Sequence, residues 1–560
     1  MQFSRRRFLS LLAASSAASL ASGQVQAHAR WRPGPGDLQA GDAFRHGVAS
    51  GDPLQHRVIL WTRVTPRSSR QHIRVKCVVA LDPSMRHVVS KYQAFASSSR
   101  DFTVKIDAYG LKSGRTYYYQ FFALGEASPV GRTRTLPRET DQVRLAVASC
   151  SNLPAGFFGA YGLLARQYNL DAVLHLGDYI YEYGNETYGD GSAIDRIPEP
   201  NAETVTLADY RTRYAQYRRD HHLQEAHRLH PWIVVWDDHE SANDAYRDGA
   251  ENHQSEEGDW QIRKAAAMQA WFEWLPVRNP WGRRETAGRI FRRFRFGDLV
   301  QLDMLDTRLF GREQQLPMLI DGVTSELLVS PQELMQYLGE MNRADRQLLG
   351  AEQENWLYLQ LAQAAERKVK WNVLGQQVMM GQLAVSAEGL PPGVRIPLNT
   401  DQWDGYAAAR TRLLNMISSQ DIENTVILTG DFHSSWAHDI AVNPYDPSAY
   451  DATTGAGSIA VEFVGPAISS PFFVDPNPEL IHSLEQFALY NNPHTRYVDL
   501  QFNGYMVVDL DRYRARAEYY HLDDVLNPDS GETLSAVVET ASGSRSVQRV
   551  SGRIGNAVSI

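Results

Sequence analysis

Only two cysteines, Cys77 and Cys150, occur in 560 residues, which excludes a scaffold stapled by disulfides. They fall in segments read as different domains, so no bridge between them is expected. Past the amino terminus no run is long and apolar enough to span a bilayer. Basic charge is also short: 56 Lys and Arg stand against 65 Asp and Glu, a formal net charge of -9, which argues against a stable nucleic-acid partner. What remains is a folded chain of ordinary composition, too long for one hydrophobic core, and so a large domain with at least one smaller one.

The amino terminus gives an address. MQFSRRRFLSLLAASSAASLASG carries a twin-arginine pattern at Ser4-Arg5-Arg6-Arg7-Phe8-Leu9, followed by a short Ala/Ser-rich apolar stretch. Residues 1–29 read as a removable export signal, with cleavage after Gly23, Ala27 or Ala29. The expected partner is the twin-arginine export machinery, and the expected location is the periplasm or the medium.

From 41 to 137 the pattern is short alternating segments: HRVILWTRV, HIRVKCVVAL, DFTVKIDAYGL and TYYYQFFALG. LKSGRTYYYQFFA resembles the late strands of a fibronectin type III sandwich, so an all-β, fibronectin/Ig-like domain is expected. Cys77, inside one alternating run, reads as a small core residue. After the polar linker TLPRETDQ the grammar becomes strand, loop, helix, with strands RLAVAS, DAVLHLG, WIVVW, LVQLDML, WNVLG, TVILTG and SIAVEFVG. Leu207, Tyr210, Tyr214 and Tyr217 fall at helical spacing, as do Leu357 and Leu361. The alternation implies an α/β domain over 140–525, a sheet with helices on both faces. The segment 526–560 reads as a tail, either a loose hairpin or mobile.

Ligands in open α/β sheets bind beyond the carboxyl ends of the strands. Those ends here are Cys150, then Asp178 and Tyr181, then Asp237, Asp238 and His239, then Asp431 and His433. Any one of them has a plainer reading: an Asp after a strand caps the next helix, and a lone buried Cys packs as a hydrophobe. Their coincidence at one sheet edge points to metal. Thiolate, phenolate and carboxylate from Cys150, Tyr181 and Asp178, with His433, suit a trivalent ion such as Fe(III) more than zinc. The second oxygen of Asp178, with Asp238 and either Asn243 or Asp431, makes an oxygen-rich neighbouring site that suits Ca(II). Two close cations suit phosphoryl transfer.

In order along the chain, LAVASCSNL, LHLGDYIYEYG, DYRTRYAQYRRDHHLQEAHRLHPWIVVWDDHE, LDTR, LGAEQENWL, LTGDFHSSWAHD and VEFVGPAISS resemble successive motifs of the PhoD-type alkaline phosphatases and phosphodiesterases. GVASGDPLQHRVILWTRV is similar to the opening of that family's small β domain, and together the motifs span about residues 41–510. The resemblance implies a metallophosphatase-type α/β sandwich core, Fe(III) with Ca(II), and hydrolysis of phosphate esters by a metal-bound hydroxide. Small phosphate esters, phospholipids and nucleotide diesters are the implied substrate classes.

Residue by residue, Gly177-Asp178 with Tyr181 resembles the bridging-aspartate and iron-tyrosine motif of purple acid phosphatases. Cys150 stands where the wider calcineurin-like superfamily has Asp-x-His. Asp238-His239-Glu240 stands where that superfamily has Asn-His-Asp/Glu, which implies Asp238 as a second-metal ligand and His239 as phosphate contact or general acid. Asp431-Phe432-His433 replaces Gly-His-x-His, and which ion Asp431 faces stays open. Arg308 in LDTR is either a phosphate clamp or a structural ion pair. Asp404 and Tyr406 are expected at the entrance, His438 as a partner of the ligands or exposed, and Tyr183 and Tyr188 as rim packing.

Overall fold

The computed structural model describes residues 42–550 apart from 67–71, 168, 279–287, 320–329, 387–393 and 473–476. Residues 1–29, read above as an export signal, lie outside the described residues, as does the end of the tail.

All seven strands expected in the larger domain form, but they divide between two sheets. Gln142–Ala148, Ala172–His175 and Pro231–Val234 pair in parallel in one sheet. Val300–Met304, Trp371–Gln376, Thr425–Thr429 and Ala460–Val464 pair in parallel in the other. The inner faces meet: Val147, Leu174 and Ile233, in line across the first sheet, share one buried cluster with Val373, Leu428 and Phe463 from the second. This replaces the single sheet implied by the strand-helix alternation and is the α/β sandwich core that the resemblance implied. Strands such as Ala172–His175 and Thr425–Thr429 are buried along their whole length, so each needs cover on both faces. One face takes the other sheet, and the opposite face takes helices.

The helical spacings were legible. Leu207–Tyr217 is a helix with Tyr210, Tyr214 and Tyr217 buried, started by a Thr206/Asp209 capping box. Ala351–Glu366 buries Leu357 and Leu361 against Leu374 and Ile427 of the second sheet.

The amino-terminal region is the expected all-β sandwich. One of its layers is Val88–Ser97, His72–Ala80 and Thr116–Ala123, with short strands Glu126–Ala127 and Gly131–Arg134 at the far side. The two layers close over Val75, Cys77, Leu60 and Phe121. The other layer, Val48–Leu54, Arg57–Arg63 and Thr103–Tyr109, is not a separate sheet. It continues the first catalytic sheet, with Ser50 opposite Pro231 and Gly51 opposite Trp232 in a parallel pairing. The small domain is thereby built into the large one, through backbone bonds that no local pattern announces.

At the opposite edge, Glu532–Ala541 pairs antiparallel along Arg514–Leu522, and Gln548–Arg549 adds a further short strand. The sheet therefore runs well past residue 525, and this part of the expected tail is a sheet strand with Ala536, Val537 and Val538 buried.

Candidate metal centre and active site

The loops after four parallel strands converge on one cleft. Gly177 makes the approach possible: its φ is 111°, and a Cβ there would stand 2.4 Å from Cβ of Asp237. Cys150 N–H donates to the Gly177 carbonyl (3.1 Å) and Ser151 N–H to that of Asp178 (2.8 Å), which fixes the first two loops together. The buried Glu240 carboxylate then accepts from the backbone amides of Asp178 (3.0 Å), Tyr179 (2.6 Å) and Asp237 (2.8 Å). Cys150, Asp178, Asp431 and His433 all hold a left-handed φ, between 53° and 61°. For side chains with a Cβ this is strained, on the order of 1–3 kcal/mol each outside Asn and Asp. Such strain persists where surrounding bonds over-determine it.

The side chains meet as the strand ends suggested. Ligand atoms of Cys150, Asp178 and His433 lie within 4.8 Å of one another, as do those of Asp178, Asp238 and His239, and those of Asp178, Asp237, Asp238 and Asp431. Asp178 belongs to all three groups. Its Oδ2 accepts from the Tyr181 hydroxyl (3.0 Å), whose oxygen lies 3.2 Å from His433 Nε2 and accepts from Ser470 Oγ at 2.6 Å.

The donor set fits cations. Asp178 Oδ1, Asp237 Oδ2 and Asp238 Oδ1 are buried with no hydrogen-bond partner, an arrangement that is costly for a carboxylate unless a positive charge meets it. Burial, reinforced by the Asp178 charge, pushes the Cys150 thiol and the Tyr181 phenol well up. Asp178 is raised by burial and by Asp238, against the pull of His239. Asp178 thus shares one group with the Cys150 sulfur and the His433 imidazole and another with the carboxylates of Asp237, Asp238 and Asp431.

His239 lines the same cleft. Burial works against its charge, but Glu182, Asp238 and Asp178 outweigh it and hold its pKa well above 6.5. Glu182 is fully buried; its Oε2 meets His239 Nδ1 at 2.7 Å, and its Oε1 accepts from Asn243 N–H (2.7 Å) and Asn252 Nδ2 (3.0 Å). Sequence reasoning passed over Glu182, although its place four residues after Asp178 was a usable signal.

Several expectations change. Arg308 does not face the cleft as a phosphate clamp: it is fully buried, with Nε on Asp237 (2.5 Å), Nη1 on Asp401 (2.7 Å) and Nη2 on Asp431 (3.2 Å). It neutralises the floor of the site, and its charge with that of His239 overcomes burial to hold Asp238 at about 2. Asn243 lines the cleft, with its Nδ2 donating to Glu251 (3.1 Å). Asp404 and Tyr406 are not at the entrance. They sit in the buried 3-10 turn Trp403–Tyr406, where Asp404 accepts from Leu383 N–H and Tyr406 donates to the Glu313 carbonyl. The cleft is lined instead by Asn399, Asp401 and Gln402, just upstream of that turn.

His438 is neither exposed nor beside the ligands, but fully buried with Nδ1 3.2 Å from Thr495 Oγ1. Tyr183 lines the rim, whereas Tyr188 does more: its hydroxyl lies 3.0 Å from His433 Nδ1, and its ring stacks on His239. Both cysteines are free and buried.

The same conclusion comes from comparison with known proteins. Residues 145–519 match the family model described as PhoD-like phosphatase, and residues 30–137 match the PhoD-like phosphatase N-terminal domain. The chain is 35% identical to alkaline phosphatase D of Bacillus subtilis (strain 168) over 494 residues, 87% of this chain and 78% of that protein. A solved structure titled "Structure of PhoD" superposes with a TM-score of 0.79 at 32% identity, covering 92% of this chain and 94% of that one. Strand-end ligand types, their convergence on one cleft and the match along both domains agree: this chain belongs to the PhoD-like phosphatase family and is a phosphoesterase, acting on phosphate esters.

Proposed function

We propose that the protein is an exported, metal-dependent phosphoesterase of the alkaline phosphatase type, in which Cys150, Asp178, Tyr181 and His433 would hold Fe(III), and Asp178 with Asp238, Asp431 and Asn243 would hold Ca(II). The observation that carries this reading is the position of Asp178, shared by every candidate ligand group, with one oxygen bonded to Tyr181 and the other buried and unpaired. When bound, the cations supply water activation and neutralise the phosphate oxygens.

The chain's own residues supply the rest. Glu182 occupies Nδ1 of His239, so the imidazolium presents Nε2–H to the cleft and can pass a proton to the leaving oxygen. Tyr188 and the Pro471 carbonyl, 3.0 and 3.3 Å from Nδ1 of His433, turn its Nε2 toward Asp178 and Tyr181. Ser434 and Ser435 are buried, with their hydroxyls near the Phe432 carbonyl and His521 respectively, and neither lines the cleft. A covalent phosphoserine step is therefore unsupported, and water is the nucleophile.

Metal analysis and visible spectroscopy of the purified protein, beside hydrolysis of a monoester and a diester, test this reading. Iron on a phenolate gives a visible charge-transfer band. Tyr181→Phe should bleach or shift it, while Tyr183→Phe should leave it unchanged. Active protein without iron, or unaltered colour in Tyr181→Phe, would overturn the metal assignment. Export is tested separately: Arg5→Lys with Arg6→Lys should retain the precursor inside the cell.

A further inference from the structure

The outer face of the amino-terminal sheet inverts the usual surface. Val88, Val89, Phe95 and Phe122 are 41%, 44%, 59% and 37% exposed, and all lie on two of its strands, Val88–Ser97 and Thr116–Ala123. Between those two runs His72–Ala80, whose outward side chains alternate with buried ones. Register places Phe95 opposite Arg74, and Phe122 and Gln93 opposite Lys76, while Lys91 stands opposite Val78. The two phenyl rings are thus set among Arg74, Lys76 and Lys91 on one pleated surface.

These three strands contain no Asp or Glu. Among the described residues Arg74 donates only to the neutral Gln93 (2.6 Å), and Lys76 and Lys91 make no ion pair. Nearby carboxylates are engaged elsewhere: Asp82 accepts from His87 N–H at 2.7 Å, and Glu126 from Ala43 N–H at 3.0 Å. At the other end of the face, Arg132 and Arg134 are turned to the Leu229 carbonyl and Asp171 of the catalytic domain. In a chain of net charge -9, an uncompensated cationic surface with projecting rings is a local choice of partner.

We propose that this face docks on a lipid bilayer carrying anionic headgroups. Phenylalanine has no polar tip to hydrate, so its ring gains by entering the apolar zone just beneath the headgroups, while lysine stems extend their ammonium groups to the lipid phosphates. A protein partner fits less well, because interface cores are depleted of lysine. The acidic remainder of the chain is repelled by the same surface, which orients the protein with this sheet toward the membrane. The inference is independent of which metals the catalytic site holds.

The test is co-sedimentation of the full-length protein with vesicles of phosphatidylcholine alone or mixed with phosphatidylglycerol, in excess inorganic phosphate so that capture by the catalytic site does not contribute. Binding should require phosphatidylglycerol and weaken with salt. Lys76→Gln with Lys91→Gln should weaken it by roughly fivefold per charge, and Lys76→Glu with Lys91→Glu by more. Phe95→Ser with Phe122→Ser should also weaken it, with hydrolysis of a soluble phosphate ester unchanged as the check on folding. Equal binding to both vesicle types, no binding, or insensitivity to these changes would overturn the proposal. So would preferential capture of soluble polyphosphate, which would mark a polymer site, or a change of oligomeric state on Phe95→Ser, which would mark a contact between copies.

Discussion

The catalytic cleft and the outer amino-terminal sheet break the same partition rule in opposite directions. In the cleft, charge is buried: Asp178, Asp237 and Asp238 are nearly inaccessible, and each keeps an oxygen without a partner. On the sheet, apolar rings are exposed beside unpaired lysines. Neither arrangement helps folding, since buried charge is destabilising without a counter-charge and an exposed ring gains nothing from water. Sites that violate local rules mark where something from outside completes the structure. On the readings proposed above, the cleft takes cations and a phosphate ester, and the sheet takes an anionic bilayer.

Substitutions can break this comparison. The largest effect is expected from Asp178→Asn, which removes the charge common to all the ligand groups. Hydrolysis should fall by several orders of magnitude, on the scale of losing a catalytic ion, with both metals depleted on elemental analysis.

Arg308→Met comes next. It strands Asp237 and Asp431 without their buried cation and leaves Asp401 to Arg312 alone, so denaturant melts of the metal-free protein should show a loss of about 3–5 kcal/mol. A raised KM with unchanged stability would instead restore the phosphate-clamp role.

Glu182→Gln keeps the volume but weakens the hold on His239, and kcat should drop by about 10–100-fold. Its signature is in pH: the imidazolium loses its nearest carboxylate partner, so the alkaline limb of the rate profile should move to lower pH. A fold defect would not shift that limb.

Asp303 sharpens the contrast from within the core. It is a buried carboxyl on Val300–Met304, away from the cleft, whose Oδ2 accepts from Gln301 Nε2 while Oδ1 has no partner. Burial raises its pKa from 3.8 to about 7. A group with a raised folded-state value contributes stability below its unfolded pKa and loses it as pH rises through the folded one. Stability should therefore decline between pH 3.8 and about 7 by up to a few kcal/mol from this group, and Asp303→Asn should flatten that decline in chemical melts. The smallest effect is expected from Phe95→Ser, at a residue 59% exposed: stability should stay within about 0.5 kcal/mol of the parent.

The seven strands and the helices with tyrosine or leucine at helical spacing were legible in the sequence, because burial on both faces of a strand and on one face of a helix writes a local period into the chain. The ends of those strands also named Cys150, Asp178, Tyr181, Asp238, His239 and His433, since parallel strands place their carboxyl ends on one side. Other features were decided only in three dimensions. The division into two facing sheets, the joining of Ser50 to Pro231 and the late strand Glu532–Ala541 depend on backbone pairing between distant segments, and a backbone amide carries no sequence signature. Arg308 looks the same in LDTR whether it faces a substrate or a cage of carboxylates; packing of Asp237, Asp401 and Asp431 around it settles which. Tyr188 and Glu182 acquire their roles because folding brings His433 and His239 to them. Local pattern determined what each residue is suited to do, and long-range packing decided which residues would do it together.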